Sequence, residues 1–347
     1  MRFPRTTLTA ALVAALALML NACGGGSSSS AAGTGTTGEA GSGRTITIGY
    51  SAWPGWFPLK VAEEKGFFTK AGVDVKLRFF TDYVSSIDAL TAGQIDGNTQ
   101  TLNDTMAGVA AGQKAAIVVN TDFSAGNDAV IVDKSINSIE DLKGKTVAAE
   151  AGVVDHFLLL QGLESKGLSE KDIDFRGVLT DAAAAGFAGG QFDAVGVFAP
   201  FTTEALKRPG SKVLFSSKDF PGSISDHIVL NSDLVAEDPA DVQKIVDVWY
   251  ETLAYIAANP DETTAIMAKQ AGVSPADYAG YAKGTQLLTA AQAQEAFIDS
   301  PSPTSLPNTA RKINPFLVSS GLTQKEADLT GLFDDSFTKA YIAGGGK

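Results

Sequence analysis

The residue types able to do chemistry fall in short loops, outside any catalytic signature. Trp53 and Trp56 stand in Ser51-Ala52-Trp53-Pro54-Gly55-Trp56, a Pro/Gly loop where an indole face suits stacking on a planar or cationic group. Asn103 and Asp104 close a polar run from Asn98, placed either to touch a ligand or to cap a helix. Asn127 and Asp128 form another pair, Glu150, Asp155 and His156 surround an expected helix start, Phe198 and Phe201 frame Pro200, and Asp226 precedes His227. These loops carry Asp104, Asp128, Glu150 and Asp155 and no Lys or Arg. A cleft they shared would therefore favour a cation, or a neutral solute rich in N–H donors, over an anion. The competing reading makes Asp155 a helix cap and turns Glu150 to solvent. His156 and His227 each follow an aspartate, but with no helical i,i+4 pair and no nearby cysteine they make no metal site. No GxSxG elbow or Walker loop occurs, so neither an enzyme nor a bound cofactor is expected.

Such loops must be held by strands and helices, and the pattern supplies them in alternation. Thr45–Tyr50 reads as a strand, Pro58–Phe68 as a helix, Val73–Phe80 as a strand and Ser85–Ala92 as a helix closed by Gly93. A short strand at Ile95–Asn98 and a helix over Asn103–Ala111 follow. The same order returns after Ala129–Val132, with strands at Thr146–Ala149, Phe175–Leu179 and Phe192–Val197, helices at Asp155–Lys166 and Asp181–Ala188, and a return strand at His227–Leu230. Two successive α/β units imply two mostly parallel sheets flanked by helices and joined by a two-strand hinge, with a helical segment from Pro239 onward packing back on the first. Ligands of such sheets bind beyond the carboxyl ends of strands, where these loops lie.

The N-terminus reads differently. Arg2 and Arg5 precede an apolar stretch from Leu8 to Leu20, then Leu20-Asn21-Ala22-Cys23, the pattern of a lipoprotein signal, too short to span a bilayer comfortably. Cys23 is the only cysteine, which excludes an internal disulfide and makes it the expected lipid-attachment residue. The Gly/Ser/Thr-rich run to residue 44 is an expected tether. The chain has 27 basic and 39 acidic residues and a formal charge of −12, which argues against nucleic acid as a partner.

Several words in order resemble the periplasmic binding proteins for nitrate, sulfonate, taurine and thiamin-pyrimidine precursors. They are Ile48-Gly49-Tyr50, Ala62-Glu63-Glu64-Lys65-Gly66-Phe67-Phe68, Ala89-Leu90-Thr91-Ala92-Gly93-Gln94-Ile95-Asp96, Ser138–Val147, Phe187–Ala194 and Ala258-Asn259-Pro260-Asp261-Glu262. Trp53-Pro54-Gly55-Trp56, Thr101–Thr105, Ala125–Asp128, Gly152–Phe157 and Asp219–Gly222 look most like the components associated with urea-carboxylase-type nitrogen metabolism.

The resemblance implies a two-lobed periplasmic-binding-protein fold of type II, with residues 45–127 and 228–347 in one lobe and 128–227 in the other, behind a signal at 1–22 and a tether at 23–44. It implies a monomeric, lipid-anchored capture protein facing the periplasm or cell exterior. By hinge closure the lobes would hand a small organic nitrogenous solute to an ABC permease and its ATPase subunits. The alternatives are a sulfonate, taurine or nitrate anion, a thiamin-pyrimidine-like precursor, or a ligand-sensor role without transport.

Overall fold

The computed structural model describes residues 43–346, so the expected signal, Cys23 and nearly all of the tether lie outside the described residues. Among those described, no helix is long and apolar enough to cross a membrane. Strands are numbered here in chain order. The first sheet contains β1 (Ile46–Tyr50), β2 (Val75–Phe79), β3 (Gly97–Thr101), β4 (Ala116–Ser124), β10 (Ser225–Leu230) and β11 (Thr285–Leu287), ordered β11-β4-β10-β3-β1-β2. The second contains β5 (Asp128–Val132), β6 (Thr146–Ala149), β7 (Asp174–Gly177), β8 (Ala194–Phe198) and β9 (Lys212–Ser216), ordered β7-β6-β8-β5-β9. Pairing is parallel where helices intervene, at β1–β2, β1–β3, β6–β7 and β6–β8. The strands at the crossings, β10 and β5, pair antiparallel on both sides. In each sheet most strands run one way, with β10 and β11 reversed in the first and β5 in the second, because a chain that leaves a sheet and returns must reverse at the crossing.

Local chemistry explains where the elements differ from expectation. The helix expected over Pro58–Phe68 is two, Pro58–Glu64 and Phe67–Ala71, because Gly66 takes a positive φ of 66° and re-aims the chain. The helix expected from Ser85 begins at Tyr83, since Asp82 caps it by accepting the Ser85 N–H at 2.8 Å. The strand expected at Ile95–Asn98 is Gly97–Thr101. Its residues are all buried although most are polar, so their chemistry hid the strand.

The chain crosses between sheets at Ala125–Asn127 and again at Ser217–Ile224. The two crossings are tied together: the Ser124 and Ser217 hydroxyls share a 2.7 Å hydrogen bond, and the Gly126 N–H donates to Ser217 Oγ at 2.7 Å. The helix Pro239–Ala258 lies on Pro58–Glu64 and Phe67–Ala71, and Tyr278 donates its hydroxyl to the Pro54 carbonyl at 2.9 Å. The core of the first lobe thus buttresses the loop that carries the tryptophans.

Candidate functional site

Where the sheets face each other, loops at strand carboxyl ends meet. Ser51–Trp56 follows β1, Tyr83 opens the helix after β2, and Leu102–Asp104 opens the helix after β3. From the other side come Glu150–Asp155 after β6, Thr180 after β7 and Phe198 at the end of β8. The lobes are closed on each other: Trp53, Trp56, Tyr83, Asp104, Asp128, Glu150, Asp155, Phe198 and Asp226 are all buried.

Four aromatic rings form a closed circuit. Centroids of Trp53 and Trp56 are 6.4 Å apart, Trp56 and Tyr83 5.4 Å, Tyr83 and Phe198 6.2 Å, and Phe198 and Trp53 6.4 Å. Three rings come from the first lobe and only Phe198 from the second, so the circuit exists only when the lobes are closed. With Thr101, Asp128, Val154 and Asp226 these rings line an inner chamber with about 10 Å³ of free space. An outer chamber, also of about 10 Å³, shares Tyr83 and Phe198 and adds Ser51, Asp82, Glu150, Thr180 and Phe201. In this closed arrangement each holds about one water- or ammonium-sized group, so the part of a solute seated between the lobes is small.

Trp53 is aimed by a partner. Its Nε1–H donates to Asp122 Oδ1 at 3.0 Å, and the Thr121 hydroxyl donates to Asp122 Oδ2 at 2.9 Å. Gly55 makes this approach possible, because a Cβ there would lie 2.0 Å from Asp122 Oδ2. Asp122 was not expected from the sequence. Its signal is an acid in the polar second half of a strand that starts apolar, Ala116-Ile117-Val118-Val119-Asn120-Thr121-Asp122. Tyr83 and Thr180 were missed as well.

Two expected contacts are committed to the protein itself across the cleft. Glu150, of the second lobe, accepts the Val84 N–H at the start of the first-lobe helix Tyr83–Thr91 at 3.3 Å. Asp104, of the first lobe, faces the Val154 N–H at the start of the second-lobe helix Val154–Glu164, which favours its charged form. Each lobe thus sets an acid at the start of a helix of the other, and these acids favour closure through the helix dipoles. Asp104 also takes the Thr101 hydroxyl and the Asn103 amide, each at 2.7 Å, which fixes Asn103 beside it.

Burial dominates the electrostatics. It pushes Asp104, Asp122 and Asp128 up to about 7, raises Glu150, and carries Asp155 and Asp226 well above the usual carboxylate range. Thr180 shows the consequence: its hydroxyl lies 2.6 Å from Glu150 Oε2 and 2.8 Å from Asp155 Oδ2, and one hydroxyl proton cannot serve both. One carboxyl must donate, and Asp155 is the one that burial holds protonated. The expected negative cleft is thus, in this closed arrangement, largely a neutral one.

Two further expected contacts lie apart from the chambers. Asn127 donates to the Tyr281 carbonyl at 2.8 Å and to Thr285 Oγ1 at 2.6 Å, holding the hinge to β11. His156 turns into its own lobe, its Nδ1 accepting the Gly152 N–H at 3.2 Å, its Nε2 2.6 Å from Glu170 Oε2, and its ring stacked on Phe175 at 4.2 Å. With Nδ1 an acceptor, Nε2 carries the proton. His227 follows Asp226 on the same strand, so it points to the opposite face, and burial lowers it to about 3. Among the described residues no His/Cys/Asp/Glu group fit to hold a metal ion occurs.

Comparison with known proteins bears on this cleft. The family model described as NMT1/THI5 like matches residues 53–263. The taurine-binding periplasmic protein of Escherichia coli (strain K12) is 29% identical over 248 residues, 68% of this chain and 76% of its own length. Among solved structures, the alkanesulfonate-binding protein SsuA from Xanthomonas axonopodis pv. citri bound to MOPS superposes with a TM-score of 0.71 at 17% identity, covering 84% of this chain and 98% of its own. The desulfurization enzyme DSZB has the same fold at a TM-score of 0.61 and 17% identity, covering 87% and 99%. At such identities the structures show the fold alone.

Proposed function

Because the chain belongs to the NMT1/THI5-like family and has the periplasmic-binding-protein fold, we propose that it captures a small organic solute outside the membrane and delivers it to the permease of an ABC importer. The observation that carries this is the aromatic circuit completed across the cleft by Phe198: a solute held there touches both lobes and favours their closure. The relatives are named as binding proteins, which supports capture over catalysis.

Of the solute classes expected from the sequence, the comparisons favour the sulfonate or taurine-type alternative over the nitrogenous cation. With their carboxyls protonated, the chamber walls also offer hydrogen-bond donors to such a solute. The nitrogen-rich reading keeps one specific support: two carboxyls and no basic residue line the inner chamber. The likeness of Trp53-Pro54-Gly55-Trp56 to the urea-carboxylase-associated components points the same way.

The test is a thermal-shift screen of the body from residue 43 onward against taurine, alkanesulfonates, nitrate and alkylammonium salts, followed by small-angle scattering with the best binder. A ligand that binds only the folded state raises the melting point by mass action. Stabilisation by at least one organic solute is expected. No shift with any class would overturn the solute-capture reading.

Anchoring at Cys23 belongs to the same proposal. Cys23→Ser is expected to move the protein from the membrane to the soluble fraction with solute affinity unchanged, because a tether separates anchor from cleft. A membrane-bound variant in fractionation contradicts it.

A further inference from the structure

Resting on the solute-capture reading and naming the group its site takes, we infer that the inner chamber is a subsite for an alkylammonium head, with Trp53, Trp56, Tyr83 and Phe198 as walls and Asp128 and Asp226 as counter-charges. With neighbouring centroids 5.4 to 6.4 Å apart, a group at the middle of the circuit lies within about 6 Å of all four rings, the range over which a cation is attracted to an aromatic ring.

The carboxyls are a second, independent observation. Asp128 and Asp226 are 2% and 1% exposed and line the chamber; Asp128 Oδ2 has no hydrogen-bond partner, and Asp226 is left with another buried acid, Asp122, as its side-chain partner, an expensive arrangement unless something else completes it. The chamber's other lining residues, Thr101 and Val154, bring no charge, and no Lys, Arg or His lines it. Around it stand Asp104 and Tyr83 from the first-lobe helices, Asp122 on β4, and Glu150 and Asp155 from the second lobe, so no neighbouring element supplies a positive charge to these two acids.

Burial raises both carboxyls, so Asp128 and Asp226 hold their protons to higher pH than free acids do. As the cation enters, a carboxyl O–H breaks, the proton passes to solvent and the carboxylate pairs with the ammonium. The buried charge stays balanced, because one positive charge replaces another. An aminosulfonate and an amine without a sulfonate share this head, and the test separates them.

The measurement is titration calorimetry on the body from residue 43 onward at pH 6, 7 and 8, in buffers of different ionisation enthalpy. The probes are taurine, ethanesulfonate, propylammonium and tetramethylammonium. We expect one or more ammonium-bearing probes to bind with proton release, tightening up to about tenfold per pH unit for each proton lost. Asp128→Asn and Asp226→Asn are expected to weaken that binding by about 30-fold or more.

Taurine binding alone among the ammonium probes identifies an aminosulfonate solute, and propylammonium or tetramethylammonium matching it identifies an amine. Ethanesulfonate binding as tightly as taurine, or any probe tightening as pH falls, overturns the ammonium subsite and leaves solute capture standing. Failure of all four probes overturns the subsite, and solute capture falls with it only if the wider thermal-shift screen is also flat. The pH series uses the unmodified chain, so it decides even if a variant fails to fold.

Discussion

Phe198→Ala is expected to weaken solute binding by about 10² to 10³-fold and to abolish the compaction that solute produces in small-angle scattering. Phe198 is the only ring of the circuit that the second lobe supplies, packed 6.4 Å from Trp53, 6.2 Å from Tyr83 and 5.5 Å from Phe201. Truncating a buried Phe to Ala costs about 3 to 5 kcal/mol. Here part of that loss falls on closure, because opening the lobes already separates Phe198 from Trp53 and Tyr83. Phe187→Ala is the control: Phe187 is equally buried but lies in a small core of the second lobe with Ala183, Ala184, Val195 and Val197. It should lower the melting temperature without a comparable loss of affinity. Equal affinity losses in the two variants would remove Phe198 from any special role in binding.

The unliganded protein should open and lose thermal stability as pH rises from 6 to 8.5. Asp104 and Asp128 have ordinary values of 3.8 and folded values of about 7, so between those limits the folded state holds more protons than the unfolded state. Stability then falls with rising pH, by about 1.4 kcal/mol per unit for each such acid, and the contribution is gone once pH has passed the folded value. Asp155 and Asp226, raised further, extend the decline to higher pH. The histidines oppose it on the acid side. Burial lowers His227 to about 3 and lowers His156, so their contribution is present above their ordinary value of 6.5 and is lost as pH falls. The acid effect therefore stands clearest above pH 6.5. Because opening the cleft rehydrates the acids without unfolding either lobe, the radius of gyration should grow before the melting temperature has fallen far. A radius and melting temperature that stay flat, or a melting temperature that climbs with pH, would contradict the protonated cleft.

Much of the frame was legible because its strands are apolar and short and its helices carry local punctuation. Thr146–Ala149 was read to the residue, and Asp128–Val132 and Ser225–Leu230 to within one or two. β4 went unread because its apolar run gives way to Asn120-Thr121-Asp122 and Ser124, polar residues that face the cleft and hinge rather than an apolar core. β3 slipped for the same reason. β9 and β11 have no clear periodicity and are ordered by the strands beside them. At the site, the strand-end rule placed Trp53, Trp56, Asp128, Phe198 and Asp226 around one chamber. It could not tell a carboxyl that lines the chamber from one set at a facing helix, which separates Asp128 from Asp104 and Glu150. Nor does a count of acids give their charge, since burial decides protonation and burial depends on both lobes together.

The cap that Glu150 places across the cleft has a consequence for any anionic solute. Glu150 at Val84 occupies a backbone N–H group that a free nitrate or sulfonate would seek. A tethered group competes at an effective concentration of order millimolar or higher. A dissolved anion at micromolar levels must therefore displace an intramolecular rival present about a thousandfold in excess, and it gains a helix terminus only by releasing one lobe from the other. An anion seeking this terminus would thus work against the closure that capture requires, so the cap steers an anionic solute away from that N–H group, by competition rather than by repulsion.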